Sequence, residues 1–540
     1  MRFIFPILAI LIIILGIKSI LHGLKRRTLA RFAIDGYDNV CEIKSSECMI
    51  GSSMFCDVRL KDEKALKQHA VVTLDEYGFK LTPASEESVV YINNYPVKED
   101  AYLTSGDRIK IGNTLLQIAI NPAISKKSAA HSDKSLKKYR WLQLLFITVF
   151  QLLCAFALLI NKTDKITVLS VFGGIIAVEW IYSLIRGFKS NLGVELNAFF
   201  LSTVGFCMCA EVGEAVMIKQ GFMLILGFIG FLLLCPLLKN LELTQKLKIP
   251  VMAIAVLLLT YNALFGTYLN GAKNWVQLGP ISFQPSELVK VALVFISACS
   301  LENMLKMKNL MSFLGFVFFC LLALAYISDF GTALVYFAAM LIILALRLSA
   351  IKITVIISAG ALLAATAAIK LIPYVSARFS LYRHVWEYAS SGGYQQTQTM
   401  MSISSGGLFG LGLGNGNLHN VSAADTDLVF GMIAEEFGLI FALCVAFIFA
   451  LFVIYAAVCI TRTRSIYYAV TSSAASGIFI CQAILNIFGS VDLLPLTGVT
   501  LPFISNGGSS MIASWMLLAF IKMSGAQFVR INKKSGGAVK

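Results

Sequence analysis

A succession of long apolar segments is the feature that most restricts how this chain can fold. The first covers residues 3–21, and the others follow between residues 141 and 523. About 20 consecutive apolar residues are needed for a helix to cross the hydrocarbon core of a bilayer. The chain is 57% hydrophobic and 14% charged, whereas an ordinary soluble domain is about 25% charged. These values exclude a disordered chain, a fibrous repeat and an ordinary soluble enzyme.

The loops between the predicted spans differ in charge. Lys and Arg collect in every second loop, and the positive-inside rule places those loops, and residue 25 onward, in the cytoplasm. Three polar loops, 267–285, 374–426 and 491–501, are thereby predicted to lie outside. The predicted spans cover residues 3–21, 141–160, 165–185, 194–212, 220–238, 248–266, 286–302, 309–327, 331–348, 351–373, 427–460, 466–490 and 502–523.

The N-terminal quarter has a different composition. Lys25, Arg26 and Arg27 follow the first apolar segment, which is the reverse of a signal peptide and predicts an uncleaved membrane anchor. Short strand-like runs separated by turn residues then predict a small β-sandwich. The predicted division is 1–24 anchor, 32–120 β-sandwich, 121–140 polar linker, 141–190 extra spans, 191–526 polytopic membrane domain and 527–540 cytoplasmic tail.

Charge and cysteine content exclude further classes. The net charge of +15 falls in loops between apolar segments, and no basic stripe interleaves with aromatic residues as nucleic-acid binding requires. Most of the 12 cysteines lie in apolar runs, where cysteine usually acts as a small hydrophobe. We therefore predict no nucleic-acid partner, no disulfide framework and no zinc site.

The first outer loop and the spans that follow it contain charged groups at membrane depth. Pro285 is placed to begin a helix, and Glu287 and Lys290 are three residues apart, so they share a face of that helix. Such a pair is costly in a membrane and is functional by default, although it could also be an interfacial pair just outside the apolar core. Asp329 begins another span, where it acts either as a helix cap or as a functional carboxylate.

The long loop and its flanks add glycines and further carboxylates. The run from Ser405 to Asn415 is rich in glycine, which lets backbone amides approach a ligand and form anion-binding concavities. Asp427 and Glu435 are eight residues apart, so they could share a helix face. The segment 495–510 breaks a helix with prolines and glycines, and such a break either lines a cavity or forms a flexible connector.

Seven motifs occur in the membrane part in this order: NGAKNW, QPSELVK, SDFGTAL, GGYQQTQ, SGGLFGLGLG, TDLVFGMIAEEFG and LPFISNGGSS. Together they resemble the SEDS family (FtsW, RodA, SpoVE) over roughly residues 194–525. That resemblance implies a ten-span polymerase that joins the disaccharide units of lipid II outside the cytoplasmic membrane, together with a class B penicillin-binding protein. The spans between 141 and 185 and the N-terminal anchor are additions to that core.

Residues 40–120 resemble a forkhead-associated (FHA) domain, partly through Ile50-Gly51 and His69-Ala70. FHA domains bind phosphothreonine through an Arg after the first glycine and a Ser three residues before the His. Here Ser52 and Leu66 occupy these positions, and neither supplies the charge-assisted contacts that a phosphate requires. The sequence therefore predicts a degenerate phosphopeptide site at Ser52, Leu66 and His69, or a protein-docking module for a cytoplasmic partner.

The membrane part also departs from its family. SEDS proteins usually have a catalytic Asp shortly before the GYQ motif, and Tyr388 stands at that position here. Glu387 becomes the first candidate for the general base and Asp427 the second. The substrate-binding residues implied by the resemblance are Lys273, Glu287, Lys290, Asp329, Gln395, Gly406, Gly407, Glu435, Glu436 and Ser505.

The sequence thus predicts a multi-span α-helical membrane protein with a small cytoplasmic β-sandwich. Three functions are compatible with it: an active peptidoglycan glycosyltransferase, a non-catalytic SEDS relative that binds lipid II or scaffolds a synthase complex, and a transporter of lipid-linked precursors. Glycosyl transfer needs a base and a stabilised pyrophosphate. A divalent cation, Mg²⁺ or Mn²⁺, held by Asp329 and Asp427 would suit a site where carboxylates meet phosphates.

Overall fold

The computed structural model describes most of the chain, with gaps. The described residues are 2–23, 30–120 with gaps, 126–160, 164–186, 192–239, 241–269, 272–278, 281–301, 307–348, 358–371 with gaps, 372–460 and 466–526. They divide into two compact units: one contains the first helix and the membrane part from Tyr139, and the other contains the β-rich segment. The predicted span at 351–373 and the predicted tail at 527–540 lie largely or wholly outside the described residues.

The β-rich unit is a sandwich of two sheets whose strands are mostly antiparallel. One sheet has the order β2-β1-β11-β10-β7-β8 and the other the order β4-β3-β5-β6-β9. Apolar side chains such as Phe32, Ile50, Leu81 and Ile109 are completely buried between them. The strands are β1 Ala30–Ile34, β2 Val40–Ile43, β3 Glu47–Gly51, β4 Val58–Arg59, β5 Ala70–Leu74, β6 Phe79–Pro83, β7 Val90–Ile92, β8 Tyr95–Val97, β9 Ala101–Leu103, β10 Arg108–Ile111 and β11 Thr114–Ile120. The predicted β-sandwich is confirmed.

The membrane unit is a helix bundle, and the predicted multi-pass membrane protein is confirmed. Among the described residues, seven helices are long and apolar enough to cross a membrane, and three shorter apolar helices accompany them. The helices are α1 Ile4–Gly23, α2 Lys126–Ile160, α3 Lys165–Ile185, α4 Gly193–Val212, α5 Glu214–Lys239, α6 Leu241–Phe265, α7 Pro285–Leu301, α8 Met307–Tyr326, α9 Phe330–Leu348, α10 Pro373–Leu381, α11 Tyr394–Gly406, α12 Val429–Phe437, α13 Leu439–Ile460, α14 Ile466–Ser490 and α15 Gly508–Ala526.

Glycine allows the two central helices α5 and α15 to approach closely. A Cβ atom on Gly227 would lie 3.0 Å from the Cα atom of Ile512, and a Cβ atom on Gly508 would lie 3.0 Å from Cγ of Met223. Small residues at such contacts are typical of helix packing in membranes. Trp515 is completely buried beside this contact, with its ring 4.8 Å from that of Phe199. Close backbone packing therefore fixes the centre of the bundle.

The helices predicted as additions pack onto the bundle through specific contacts. The ring of Phe5 in α1 lies 5.0 Å from that of Phe437 in α12. The side-chain amide of Gln151 in α2 donates to Glu179 in α3 at 2.9 Å and to Thr203 in α4 at 3.2 Å. Hydrogen bonds of this kind join helices where the surrounding lipid offers no partner. The anchor and the extra spans are therefore integral parts of the membrane unit.

The structure corrects one sequence-based assignment and adds detail to two others. Residues 427–460 do not form one span, because the chain breaks at Gly438 (φ 92°), where a Cβ atom would lie 2.4 Å from the carbonyl oxygen of Leu408. Most of the predicted linker 121–140 is helical, since α2 begins at Lys126. The predicted outer loop 267–285 contains a three-stranded sheet of β12 Thr267–Leu269, β13 Ala272–Leu278 and β14 Ile281–Phe283.

Candidate functional site

Three segments that the sequence predicts as outer loops meet at one end of the membrane unit. We call this region, formed by the described residues of 267–284, 372–428 and 491–507, the loop end. The backbone amide of Gln284 donates to Oγ of Ser509, two residues after the third segment, at 3.2 Å, and the backbone amide of Asn506 donates to Asp425 at 2.8 Å. The side chain of Gln396 donates to the carbonyl of Gly489, also at 2.8 Å. Polar contacts between distant segments therefore define this end of the bundle.

Asp329 connects two helices at the loop end. Its Oδ1 accepts from the backbone amide of Thr332 at 3.1 Å, which caps α9 as one of the two sequence interpretations expected. Its Oδ2 accepts from Nε2 of Gln284 at 2.9 Å, and Ser286 Oγ donates to the same oxygen at 3.4 Å. Because both oxygens already accept hydrogen bonds from the chain, Asp329 has a clear structural role at the start of α7 and α9.

Glu287 and Lys290 form the buried pair that their spacing predicts. The Nζ atom of Lys290 lies 2.7 Å from Oε2 of Glu287, and the two residues are only 1% and 4% exposed. Breaking such a pair leaves an uncompensated buried charge, which is strongly destabilising. The ammonium group of Lys290 is therefore committed to its neighbour, so it is a weaker candidate for binding substrate phosphate than the sequence suggested.

Asp427 lies in a half-buried position at the loop end, before α12 begins. Burial raises the pKa of its carboxyl group to about 6, and the neighbouring carboxylates of Asp425 and Asp329 add to this increase. The positive charge of Arg378 and a hydrogen bond from Thr426 act in the opposite direction. A carboxyl group with this pKa changes its protonation state just below neutral pH, as a general base should.

The backbone around Asp427 is held by side chains from distant parts of the chain. Asn486 Nδ2 donates to the carbonyl oxygen of Asp427 at 3.1 Å and to that of Val499 at 2.8 Å. Ser505 is buried, and its hydroxyl donates to the carbonyl oxygen of Thr426 at 2.6 Å. Ser505, predicted to bind substrate, is therefore placed to position the candidate base.

Glu387 and Tyr388 lie on an exposed turn of the loop end. The side chain of Glu387 is 69% exposed, and its Oε1 lies 3.1 Å from Nδ1 of His384. The turn is attached to the segment near residue 492: the hydroxyl of Tyr382 donates to Leu493 at 3.1 Å, and the amide of Arg383 donates to Asp492 at 3.1 Å. Glu387 thus has free access to solvent but lacks the desolvation that Asp427 experiences.

The glycine run packs against α12 and does not form an open anion-binding concavity. A Cβ atom on Gly406 would lie 2.4 Å from the carbonyl oxygen of Ala434, and one on Gly410 would lie 2.2 Å from that of Glu436. The amides of Leu411 and Gly412 donate to the carbonyls of Glu435 and Glu436, both at 2.9 Å. The amides of Leu411 and Gly412 therefore bind the end of α12, and contact of the run with phosphates stays a prediction. Gly407 has a φ of 57° and open space around its Cα.

Glu435 and Glu436 are both buried in α12. The carboxylate of Glu435 accepts from the backbone amides of Asn417 at 3.1 Å and Leu418 at 3.0 Å, so it secures the neighbouring turn. Oε2 of Glu436 is buried without a hydrogen-bond partner. Asp427 and Glu435 do not share a helix face as predicted, because α12 begins only at Val429.

Two further predicted binding residues contact the chain itself. Nζ of Lys273 donates to the carbonyls of Ala263 at 2.8 Å and Leu264 at 3.1 Å, which caps the end of α6. Positive charge at a helix C-terminus is favourable because of the helix dipole. Nε2 of Gln395 donates to the carbonyl of Ser422 at 2.9 Å. Both side chains stabilise the loop end.

The residues predicted to hold a divalent cation, Asp329 and Asp427, do not belong to a larger cluster of ligating side chains among the described residues. Within the part of the chain that the structure describes, no group of three or more His, Cys, Asp or Glu side chains is arranged to hold a metal ion. Both oxygens of Asp329 accept hydrogen bonds from the protein. The cation at Asp329 and Asp427 therefore stays a prediction, and the chemistry proposed below does not depend on it.

In the β-sandwich, the predicted phosphopeptide residues form a compact backbone network. The amide of Ser52 donates to the carbonyl of Leu66 at 3.0 Å, and the amide of Leu66 donates to Nδ1 of His69 at 3.1 Å. Nε2 of His69 is 3.1 Å from the carbonyl of Val89. The buried His69 therefore accepts through one nitrogen and donates through the other, and it joins three loops as a structural residue.

Three contributors to the site were not singled out as functional in the sequence. They are Gln284 beside Asp329, Arg378 beside Asp427, and Asn486, whose side chain donates to the backbone carbonyl of Asp427. Asn486 is a polar residue within the apolar helix α14, and this is the one local signal that would have identified it. The proximity of Arg378 to Asp427 depends on chain segments 49 residues apart in sequence.

Two family models match this chain, one over most of the membrane unit and one over the β-sandwich. The FtsW/RodA/SpoVE family model, described as cell cycle protein, matches residues 193–526, and the FHA domain model matches residues 48–112. The chain is similar to the "Probable peptidoglycan glycosyltransferase FtsW" of Coxiella burnetii, with 32% identity over 49% of this chain and 74% of that protein. The protein of the same name from Escherichia coli O6:H1 is 31% identical over 54% of this chain and 73% of its own length.

A solved structure has a similar fold. It is described as "Structural coordination of polymerization and crosslinking by a peptidoglycan synthase complex", and its matching chain is 25% identical to this one. The match covers 63% of this chain and 98% of that chain, with a TM-score of 0.52. The part of this chain outside the match thus corresponds in size to the β-sandwich and the added helices.

Proposed function

This chain belongs to the FtsW/RodA/SpoVE family of cell cycle proteins, and on that premise we propose that it is a peptidoglycan glycosyltransferase. Its substrate would be lipid II, and its partner a class B penicillin-binding protein that cross-links the product. The names of its relatives and the synthase complex with a similar fold support this proposal. The observation that carries it is Asp427, a half-buried carboxylate with a pKa of about 6 at the loop end.

In the proposed reaction, Asp427 acts as the general base. Its carboxylate takes the proton from the acceptor sugar hydroxyl while that oxygen bonds to the anomeric carbon of the lipid-linked donor. The bond between that carbon and the pyrophosphate breaks, and the lipid pyrophosphate leaves with the electron pair. A general base of this kind contributes about 10²–10⁴-fold to a rate. Glu387, the first candidate from the sequence, is the alternative base at the same end of the bundle.

Arg378 supplies positive charge beside the proposed base. The positive charge of its guanidinium lowers the pKa of Asp427, and its Nη1 donates to the carbonyl of Leu496. Positive charge near a departing pyrophosphate stabilises the negative charge that develops there. Lys290 and Lys273 are less suited to this role, because the first pairs with Glu287 and the second caps α6.

The test is direct polymerisation. The full chain, purified in nanodiscs with its class B partner, is incubated with fluorescent lipid II, and the products are separated by gel electrophoresis. Glycan strands longer than two disaccharide units are the expected result. Binding of lipid II without any extension would contradict the proposal.

A non-catalytic role is the second candidate, and one observation favours it. Glu387, the first candidate base, is exposed and paired with His384, and the sequence resemblance implies that Tyr388 replaces the family's catalytic Asp. A chain of this kind would bind lipid II or scaffold the synthase complex. It would show lipid II binding and partner association at normal strength, with no polymerisation from the parent chain at any pH.

We further propose that the loop end faces outside and the β-sandwich faces the cytoplasm, because Lys and Arg collect in alternate loops. In intact cells, an impermeant thiol reagent should label Ser391→Cys and leave Ser132→Cys unlabelled until the membrane is opened. The native cysteines are replaced first. Labelling of Ser132→Cys in intact cells would reverse the proposed orientation.

A further inference from the structure

The β-sandwich has an open groove at one edge, and none of its described lining residues belongs to the hydrogen-bond network around His69. Strand β8 ends the six-stranded sheet and β9 ends the five-stranded sheet. These strands are consecutive in the chain and border a groove of about 550 Å³. The groove therefore lies where the two sheets of the sandwich end side by side.

Aromatic side chains are exposed in this groove. Tyr95 on β8 is 78% exposed and Tyr102 on β9 is 51% exposed, and both line the groove together with Pro96 and Val97. Exposed apolar groups that cluster in a concave surface mark interaction sites. Tyrosine rings also attract cations through their electron-rich faces. The groove thus combines apolar surface with a preference for positively charged ligands.

The charged side chains among the described lining residues of the groove have one sign. Glu99, Asp100 and Asp107 line it, and none of its described lining residues is Lys or Arg. Asp100 pairs with Lys80 outside the lining, and Asp107 accepts from the amide of Thr104 at 2.6 Å. Glu99 is exposed. Since the rest of the chain has an excess of positive charge, this acidic surface is a local feature.

The edge of β8 is unsuited to pairing with another strand. Asn93 and Asn94 have φ values of 49° and 73°, as a two-residue type I′ hairpin turn requires. In such a hairpin, Ile92 and Tyr95 exchange hydrogen bonds, so the backbone of Pro96 points away from β7. Proline has no N–H group, which blocks strand addition at this edge. Recognition in the groove therefore rests on side chains.

We propose that this groove binds an unphosphorylated, Lys- or Arg-containing segment of a cytoplasmic protein partner. The cationic side chains would contact the carboxylates of Glu99 and its neighbours and lie against the rings of Tyr95 and Tyr102. Charge complementarity and exposed tyrosines argue for this partner. The proposal gives the β-sandwich a ligand that does not require a phosphate anchor at Ser52 or Leu66, and it is independent of whether the membrane unit polymerises glycan.

The experiment measures peptide binding to the full chain in nanodiscs by fluorescence anisotropy. The probes are fluorescein-labelled 12-residue peptides on a Gly-Ser-Ala background that carry four Lys or Arg, no charge, or four Glu, with phosphothreonine copies of each. We expect the basic peptides to bind about tenfold more tightly than the uncharged ones, as three exposed ion pairs would allow. Raising the salt concentration should weaken this binding, because dissolved ions screen the attraction between the basic peptide and the carboxylates of the groove.

Variants localise the binding to the groove. Tyr95→Ala should weaken it about three- to fivefold, in the range of an exposed cation–π contact, whereas Tyr95→Phe, which keeps the ring, should not. Glu99→Gln should weaken it, and Glu63→Gln, at an exposed carboxylate outside the groove, should leave it unchanged. Because Tyr95 is largely exposed, these variants should fold normally, which the melting temperature would verify.

Three results would overturn the proposal. One is equal binding of basic, neutral and acidic peptides. Another is affinity that depends on phosphothreonine, which would assign recognition to the loops around Ser52. The third is tighter binding in a variant that ends at Ala526, which would show that the chain's own basic C-terminus, and not a protein partner, occupies the groove.

Discussion

Glu387 and Asp427 occupy opposite environments at the loop end, although both are candidates for the same chemical role. The side chain of Glu387 is 69% exposed and pairs with His384. Asp427 is half-buried, and desolvation raises its pKa to about 6. The comparison shows that proximity to the family's usual catalytic position and suitability as a base are separate properties. The first follows from the sequence, and the second depends on burial.

The substitution with the largest expected effect is Asp427→Asn. It removes the proposed base with little change in shape, so polymerisation should fall by about 100-fold or more, as expected for loss of a general base. The measurement is the initial rate of glycan synthesis from fluorescent lipid II.

Asp425→Asn is the matched control, because it alters a carboxylate two residues away that accepts from Asn506 Nδ2 at 2.7 Å. It should retain most of the activity and a similar melting temperature. If the two variants lose activity equally, the effect is structural and Asp427 is not the base.

The pH profile should give the next largest effect. Because the base must be ionised and the pKa of Asp427 is about 6, the rate should rise with pH and level off near neutrality. At pH 5 only about a tenth of the groups are ionised, so the rate should be about tenfold lower than its maximum. The profile is measured on the parent chain between pH 5 and 8. A rate that does not change over this range would argue against Asp427.

Glu387→Gln should have a smaller effect if Asp427 is the base. It removes an exposed interaction with His384, which is worth at most about fivefold. His384→Gln disrupts the same pair and keeps the carboxylate, so it serves as the control. A loss of about 100-fold in Glu387→Gln, with normal activity in His384→Gln, would reverse the comparison and make Glu387 the base.

Tyr388→Asp should have the smallest effect on an active chain. Tyr388 is exposed, so the substitution should not disturb packing, and it introduces the Asp that the sequence resemblance predicts at this position. Polymerisation should stay the same or increase. If the parent chain is inactive and Tyr388→Asp polymerises lipid II, the parent has the non-catalytic role.

Much of the fold follows from local patterns in the sequence. Short strand-like runs separated by turn residues predicted the β-sandwich, and β10 buries every second side chain, as a strand in a sandwich does. The three-residue spacing of Glu287 and Lys290 predicted their contact, which the structure places at 2.7 Å. Periodicity and spacing succeed here because the relevant neighbours lie within one helical turn or one strand.

Other features could not be predicted because they depend on contacts between distant segments. The glycine run from Ser405 to Asn415 suggested an open anion site, but α12 packs against it and uses its amides. The break at Gly438 arises from the same contact, since any side chain there would collide with Leu408. A glycine-rich composition indicates that other groups can pack closely against the backbone, but it does not identify those groups.

The sequence was sufficient to establish the class of this protein: apolar segments of membrane-spanning length, ordered motifs and a strand-rich insertion define a multi-pass membrane protein with an FHA-like domain. These properties depend on local hydrophobicity and on residues close together in the chain. The tertiary structure determines the pKa of the Asp427 carboxyl group. Its pKa depends on burial and on the charge of Arg378, and its backbone is held by Asn486, 59 residues away. Desolvation is produced by all the groups that surround an atom, and only folding brings those groups together.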